Sequence, residues 1–278
     1  MFDQLQERHF AKLARLVEEH TGIRLPPAKR TMVEGRLRKR LRALGLADLD
    51  EYGRAIFEGD KLDDEFIHLV DCVTTNKTDF FREPDHFDFL RERAMPLLAS
   101  LRRGAASPFK FWSAAASIGA EAYTIAMVAA EALGLDGRRF TVLGTDISTE
   151  VIAQAQRAVF PSAMIDPVPP PLRERYVMRA IDAERQEIRI VPELRRTVRF
   201  QCLNLVDPTY RVERDFDVIF CRNILIYFAK ATQDAVLRRL CNHLRQGGFL
   251  ILGHSESLAG AELSAMRQVA PTIFQRAA

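Results

Sequence analysis

The chain has 278 residues, room for one large core of about 200 residues with a smaller domain before it. Hydrophobic residues make up 47%, with only 14 Gly and 13 Pro, which excludes a disordered or low-complexity chain. The net charge of +3 is too small to imply nucleic acid, and no apolar run reaches the roughly 18 residues that cross a bilayer. Residues 1–20 are charged throughout rather than forming an apolar signal segment, so a cytoplasmic protein without a transmembrane segment is expected. Cys72, Cys202, Cys221 and Cys241 show no CxxC spacing and lie in mostly apolar surroundings. They are expected as buried free thiols, and since the six histidines do not group with them, no metal site is expected.

The first 75 residues read as helices. Phe10, Leu13, Leu16 and Val17 form a stripe that ends near Gly22, and Pro26 and Pro27 start the next helix. In that second helix Val33, Leu37, Leu41 and Leu44 share one face and Arg38, Lys39 and Arg42 the opposite one. Between 29 and 42 the basic residues are Lys29, Arg30, Arg36, Arg38, Lys39, Arg40 and Arg42, against Glu34 alone, while 48–71 is predominantly acidic. Such a face is either simply solvated or a docking surface for an acidic partner. Residues 48–57 and 61–70 supply further short helices. The stretch 74–89 (TTNKTDFFREPDHFDF) breaks the pattern and marks the passage between domains.

After residue 105 the period changes. Strands are expected at 109–115, 140–145, 198–202, 216–221 and 249–253, and helices at 121–133, from 149, and at 229–244, with Gly247 and Gly248 turning the last helix into its strand. This alternation predicts an α/β sheet with crossover helices on both faces, whose ligands sit outside the carboxyl ends of the strands. Those ends carry Glu121, Asp146, Asn204, Asn223 and the run His254, Ser255, Glu256. Asp146 alone could be a helix cap, but a carboxylate there also suits the two hydroxyls of a ribose. No G-x-G-x-x-G stands between 109 and 121, which argues against a pyrophosphate and for S-adenosyl-L-methionine, whose cationic end needs carboxylate and amide partners such as Glu121 and Asn204.

Residues 76–83 (NKTDFFRE), 112–127 (WSAAASIGAEAYTIAM) and 216–228 (FDVIFCRNILIYF), followed by GGFLILGHSES at 247–257, closely resemble the chemotaxis receptor methyltransferases. These are protein-glutamate O-methyltransferases of the CheR type. With the basic amino-terminal helix, the resemblance covers nearly the whole chain. It implies a helical domain over 1–75, an interdomain linker and cofactor-contacting segment over 76–104, and an S-adenosylmethionine-dependent methyltransferase α/β domain over 105–278. A small antiparallel β-subdomain is expected as an insertion within 160–200. The implied reaction uses S-adenosyl-L-methionine, releases S-adenosyl-L-homocysteine, and converts glutamate side chains on the cytoplasmic helices of methyl-accepting chemotaxis receptors into γ-methyl esters. The implied enzyme is cytoplasmic, monomeric and recruited to membrane receptor arrays.

Carried over by position, Asn76, Thr78 and Arg82 are similar to cofactor contacts of the interdomain segment, Glu121 to the acid that meets the methionine part, and Asp146 to the ribose acid. Asn204, Leu205, Arg222 and Asn223 resemble the residues that frame adenine and the methyl donor, and Tyr227 an aromatic position close to the transfer site. Arg38, Lys39 and Arg42 would face the acidic receptor surface.

The family's glycine-rich motif usually begins with glycine where Ala115 stands here and carries threonine where Ile118 stands. Were the pocket blocked there, the chain would be a noncatalytic receptor-binding relative; another protein or small-molecule carboxylate as acceptor is the other alternative. A glutamate carboxylate, with a reference pKa of about 4.3, is already ionised at neutral pH, so no general base is needed. Arg82 is then the candidate to orient the incoming carboxylate, or else a cofactor or interdomain contact, with Tyr227 supporting the same corner. His254 is read as structural rather than as a base. Residues 187–191 are expected to pair with 196–200 across a turn at Pro192 and Glu193.

Overall fold

The computed structural model describes residues 4–59, 62–74, 76–101, 107–135, 139–182, 184–258 and 263–277. The amino-terminal part is helical. Helix α1 (Glu7–Thr21) buries Phe10, Leu13 and Val17 and ends where Gly22 turns left-handed at φ 73° and its N–H reaches the Glu18 carbonyl. A single 3-10 turn, Pro27–Lys29, leads into α2 (Arg30–Leu44), which buries Val33, Leu37 and Leu41. Asp48 caps α3 (Leu49–Phe57) by accepting the Glu51 N–H, and α4 (Leu62–Val73) closes the group. No helix among the described residues is long and apolar enough to cross a membrane.

Next come α5 (Asp85–Phe89), a π turn (Leu90–Ala94) and α6 (Met95–Leu101). The α/β part runs β1 (Phe109–Ala114), α7 (Ala120–Leu133), β2 (Phe140–Asp146), α8 (Thr149–Arg157), β3 (Val159–Pro161), α9 (Pro170–Tyr176), β4 (Val177–Arg179) and β5 (Glu187–Ile190). It continues with α10 (Pro192–Arg195), β6 (Val198–Cys202), β7 (Phe216–Cys221), α11 (Lys230–His243), β8 (Leu244–Leu252), β9 (Met266–Ala270) and β10 (Ile273–Arg276). The main sheet has seven strands in the order β6-β2-β1-β7-β8-β10-β9, parallel from β6 to β8 and antiparallel from β8 onward.

Both faces of this sheet are covered, and its strands alternate between two cores. Phe111, Val218, Phe220, Phe249 and Ile251 face α5, α6 and the alanine-rich α7. Trp112, Ile219, Cys221, Leu250 and Leu252 face α11, and the same apolar cluster runs on without a break into Leu13, Val17, Val33 and Leu37 of the helical domain. That continuity seats the amino-terminal helices against the sheet.

Several expectations need correction. Residues 187–191 do not pair with 196–200. Pro192 starts the short helix α10, β6 joins the main sheet parallel to β2, and β5 instead pairs antiparallel with β3 and β4 in a separate three-stranded sheet. Proline at a first helical position favours that turn of helix over a hairpin bend. Gly247 and Gly248 do not precede a strand but lie inside β8, where Gly247 takes φ 73° and the register against β7 shifts. Cys202 is exposed and Cys72 half-buried, while Cys221 and Cys241 are buried; all four are free thiols.

The segment over 76–104 is more than a linker where it is described. From α5 to α6 it is helical, and Phe87, Leu90, Ala94 and Leu98 belong to the core beneath the sheet, with Phe87 stacked on Phe220 at 5.6 Å. Phe87→Ala should therefore cost about 3–5 kcal/mol, as for a core aromatic. Urea unfolding checks this, and a loss no larger than the roughly 0.5 kcal/mol of a surface change would return the segment to linker status.

Candidate active site

The strand order reverses between β1 and β7, the place where open α/β sheets bind ligands at their carboxyl ends. A cleft of about 960 Å³, its open mouth included, lies there and suits a nucleoside-sized ligand. The helical domain forms part of its wall through Thr21, Ile23 and Lys29. Two hydrogen bonds hold that wall in place: the Arg24 backbone N–H donates to the Tyr227 carbonyl at 3.1 Å and the Asn204 side-chain amide donates to the His20 carbonyl at 2.6 Å.

The turn after β1 is tight. Ala115, Ser117 and Gly119 have φ of 65°, 51° and 93°, and the Ala116 N–H continues the pairing with β2 by donating to Thr145. Asn223 is left-handed too, so three of the eight described non-glycine residues with positive φ line this one cleft, and two more, Phe81 and Glu83, flank the lining residue Arg82. Such conformations cost about 1–2 kcal/mol each and persist where the surrounding structure over-determines them. Ala115 lines the cleft without closing it.

Two acids stand deep in the cleft. Asp146 ends β2, is 8% exposed, and accepts N–H bonds from Ser117 at 2.9 Å on Oδ2 and from Ser148 at 3.1 Å on Oδ1. Burial pushes its carboxyl above the ordinary range, with the backbone N–H groups of Ser148, Ser117 and Ile147 pulling the other way. Glu121, in the first turn of α7 where the helix dipole favours an acid, accepts from the Ser113 hydroxyl at 2.6 Å and from Arg222 Nε at 2.7 Å.

Arg222 is the centre of a buried network. Its Nη1 donates to the Arg82 carbonyl at 2.7 Å and to His86 Nδ1 at 3.0 Å, and lies 3.3 Å from Glu83 Oε2. Burial alone would raise the Glu83 carboxyl; the Asn223 amide and the Arg222 guanidinium outweigh it and hold it below its usual range. Burial and the Arg222 cation depress His86 to about 4, so the ring is neutral, accepts at Nδ1 and donates from Nε2 to the Thr272 hydroxyl at 2.9 Å. Glu256 holds the next turn, accepting the N–H groups of Asn223, Ile224, Leu225 and Gly253 at 2.7–2.9 Å. A Cβ on Gly253 would stand 2.6 Å from the Asn223 amide and 2.9 Å from the Glu256 carboxylate, so only glycine fits there.

The cleft also has cations that are more exposed than its acids: Lys29, Lys77 and Arg82. The Arg82 guanidinium donates to the Lys77 carbonyl at 3.1 Å, and the Lys29 ammonium sits 4.5 Å over the Tyr227 ring. The arrangement offers buried carboxylate to a ligand's hydroxyls or positive charge, and exposed cations to an incoming anion.

The structure brings Asn76, Thr78, Arg82, Glu121, Asp146, Asn204, Leu205, Arg222, Asn223 and Tyr227 together around this cleft. Arg38, Lys39 and Arg42 stand apart from it on one side of α2, with Arg38 half-buried and Lys39 and Arg42 exposed. Lys39 lies 3.9 Å from Glu150 of α8. Arg30, Arg36 and Arg40 are committed elsewhere, to Glu34, to the carbonyls of Cys72 and Thr74, and to Glu65. Sequence reasoning missed Glu83 and His86 as partners of Arg222, and Glu256 as the clamp on the β7 turn. Each stood inside a quoted motif, but nothing in its spacing revealed the partner. Among the described residues Glu83, His86 and His254 do group, their ligand atoms within 4.8 Å of one another, with no cysteine in the group. The His86 Nδ1 lone pair is already used by Arg222, and His254 Nε2 meets Asp85 at 3.1 Å.

The neutral state of His86 has a pH consequence. Between about pH 6.5 and about 4 the unfolded chain binds a proton at this ring that the folded chain does not, so stability falls as pH falls through that window. Urea unfolding across pH 4–7 should show this loss, and His86→Gln should flatten the slope; an unchanged slope in the variant would contradict the assignment.

Comparison with known proteins agrees with this geometry. Residues 8–74 match the family model described as the CheR methyltransferase all-alpha domain, and residues 76–273 match the CheR methyltransferase SAM binding domain. A chemotaxis protein methyltransferase of Salmonella typhimurium is 38% identical over 92% of this chain and 85% of its own length. One from Escherichia coli is 38% identical over 93% of this chain and 87% of its length. Chemotaxis protein methyltransferase 2 of Pseudomonas aeruginosa is 37% identical over 99% of this chain and 92% of its length. With both family domains matched in order across almost its full length, the chain belongs to the CheR methyltransferase family.

Proposed function

We propose that the chain transfers a methyl group from S-adenosyl-L-methionine to glutamate side chains on the cytoplasmic helices of methyl-accepting chemoreceptors. The products are glutamyl γ-methyl esters and S-adenosyl-L-homocysteine. The observation that carries this reading beyond family membership is the polarity of a single cleft, with Asp146 and Glu121 buried within it and Lys29, Lys77 and Arg82 more exposed. A cationic nucleoside suits the acids and an anionic acceptor suits the cations; a pyrophosphate would meet Glu121 at the helix start where a dinucleotide site needs free N–H groups.

Asp146, held by backbone N–H groups on both carboxylate oxygens and facing the cleft, offers its remaining acceptor capacity to the ribose hydroxyls. Glu121, oriented by Ser113 and Arg222, faces the amino-acid end, with Asn76, Thr78 and Asn223 as further polar contacts. Leu205, beside Asn204, gives an apolar wall for the base. The bound cofactor supplies an electrophilic methyl group on a sulfonium. Arg82 orients the acceptor carboxylate and Tyr227 closes the same corner, which excludes water and aligns the reacting atoms. The acceptor is ionised at neutral pH, and no side chain has to remove a proton. Arg38, Lys39 and Arg42 on α2 form the docking face for the acidic receptor helix. The enzyme acts as a monomer in the cytoplasm, recruited to receptor arrays in the membrane.

Labelled methyl incorporation from S-adenosyl-L-methionine into receptor cytoplasmic fragments tests the reaction. The label should leave as methanol in mild base, and a base-stable product would exclude a carboxyl ester. Two variants separate the two surfaces in calorimetric titrations. Asp146→Ala should weaken both the donor and S-adenosyl-L-homocysteine by roughly 10–100-fold through lost charge-assisted hydrogen bonds, with receptor binding retained. Reversing charge with Arg38→Glu, Lys39→Glu and Arg42→Glu should weaken the receptor while leaving the donor unchanged; equal loss of both would indicate a folding defect instead.

A further inference from the structure

We infer that Lys29, which the helical domain contributes to the cleft, receives the carboxylate of the glutamate about to be methylated and distinguishes it from a neutral side chain; this rests on the reading of the site as a carboxylate methyltransferase. Lys29 is half-buried and lines the same cleft as Arg82 and Tyr227. Its ammonium lies 4.5 Å over the Tyr227 ring, and among the described residues no carboxylate pairs with it. Most other basic groups of this region have partners: Arg30 reaches Glu34, Arg36 two carbonyls and Arg40 Glu65. A cation kept at a cleft mouth on an aromatic face, without an anion, is ready to take one from a ligand.

The backbone keeps it there. Pro26 restricts φ just before the 3-10 turn and Pro27 at its first residue, and the Lys29 N–H donates to the Pro26 carbonyl at 2.9 Å. The Arg24 N–H ties the preceding residues to the Tyr227 carbonyl, so the ammonium and the ring beneath it share one rigid frame.

Charge bookkeeping predicts what Lys29 does to the reaction. The carboxylate oxygen forms the new C–O bond as the S–CH3 bond breaks and leaves its electron pair on sulfur. The acceptor passes from anion to neutral ester, the sulfonium becomes a neutral thioether, and no proton moves. An ammonium on the carboxylate therefore favours the bound reactant more than the transition state, and it loses its hold on the ester. It tightens and selects the acceptor without accelerating the chemical step.

The experiment measures methyl transfer to receptor cytoplasmic fragments, together with calorimetric binding of S-adenosyl-L-methionine, for the wild-type chain, Lys29→Gln and Lys29→Arg. Lys29→Gln should raise KM for the fragment about tenfold with kcat unchanged or higher and donor affinity unchanged, and Lys29→Arg should recover most of the loss in KM. Fragments with glutamine in place of the target glutamates should compete with the wild-type chain more weakly than glutamate fragments, and this difference should vanish in Lys29→Gln. An unchanged KM in Lys29→Gln, a fall in kcat alone, or a parallel loss of donor affinity would each overturn the inference while leaving the wild-type activity as evidence for the methyltransferase reading. Absence of transfer by the wild-type chain would overturn both.

Discussion

The site depends on one buried guanidinium. Arg222 leaves the end of β7 and ties Glu121 on α7, the Arg82 carbonyl, Glu83 and His86 into one network, with its side chain only 2% exposed. Such a network adds little net stability, because removing charges from water costs nearly what their attraction returns. Its value is positional. Breaking it would leave uncompensated charge buried between the first helix of the sheet domain and the segment that carries Arg82, so the two sides of the cleft hold their spacing together.

A second constraint comes from packing. One apolar cluster includes Leu13 and Val17 of α1, Leu37 of α2, Trp112 of β1 and Leu237 of α11. The helical domain is thereby seated on the sheet rather than tethered to it, and Thr21, Ile23 and Lys29 become part of the cleft wall. This joins the basic side of α2 to the cleft through a short path: the helix that presents Arg38, Lys39 and Arg42 begins immediately after Lys29.

The chemistry asks little of the side chains as acids or bases. The acceptor is already an anion and the donor already a cation, so the protein's work is to hold two opposite charges in line and away from water. That accounts for the mix of groups in the cleft: acids fixed by backbone N–H groups or by Arg222, more exposed cations, and a chain in left-handed conformations where Ala115, Ser117 and Asn223 line it. The neutral His86 serves as a hydrogen-bond relay between Arg222 and Thr272.

Local patterns were enough to read most of the architecture. The helical stripes of α1 and α2, the apolar runs of β1, β2, β6 and β7, and the polar residues at their ends follow from spacing that neighbouring residues impose on one another. Motif resemblance then brought ten residues to what proves to be one cleft. The terminal strands β9 and β10, the pairing of β5 with β3 and β4, and the helical packing of 85–101 were not legible, since strand partners and docking faces are chosen by distant surfaces. The same holds inside the site. Residues Arg222, Asn223 and Glu256 are visible in the sequence, but Arg222 finds Glu121 across 101 positions and His86 across 136. Composition and period therefore determined which segments became strands, helices and rim residues, while only the closed tertiary structure decided which charges neutralise one another and which, like Lys29, meet no carboxylate among the described residues. The physical reason is that ion pairing depends on separation in space and on exclusion of water, and neither is encoded by local spacing along the chain.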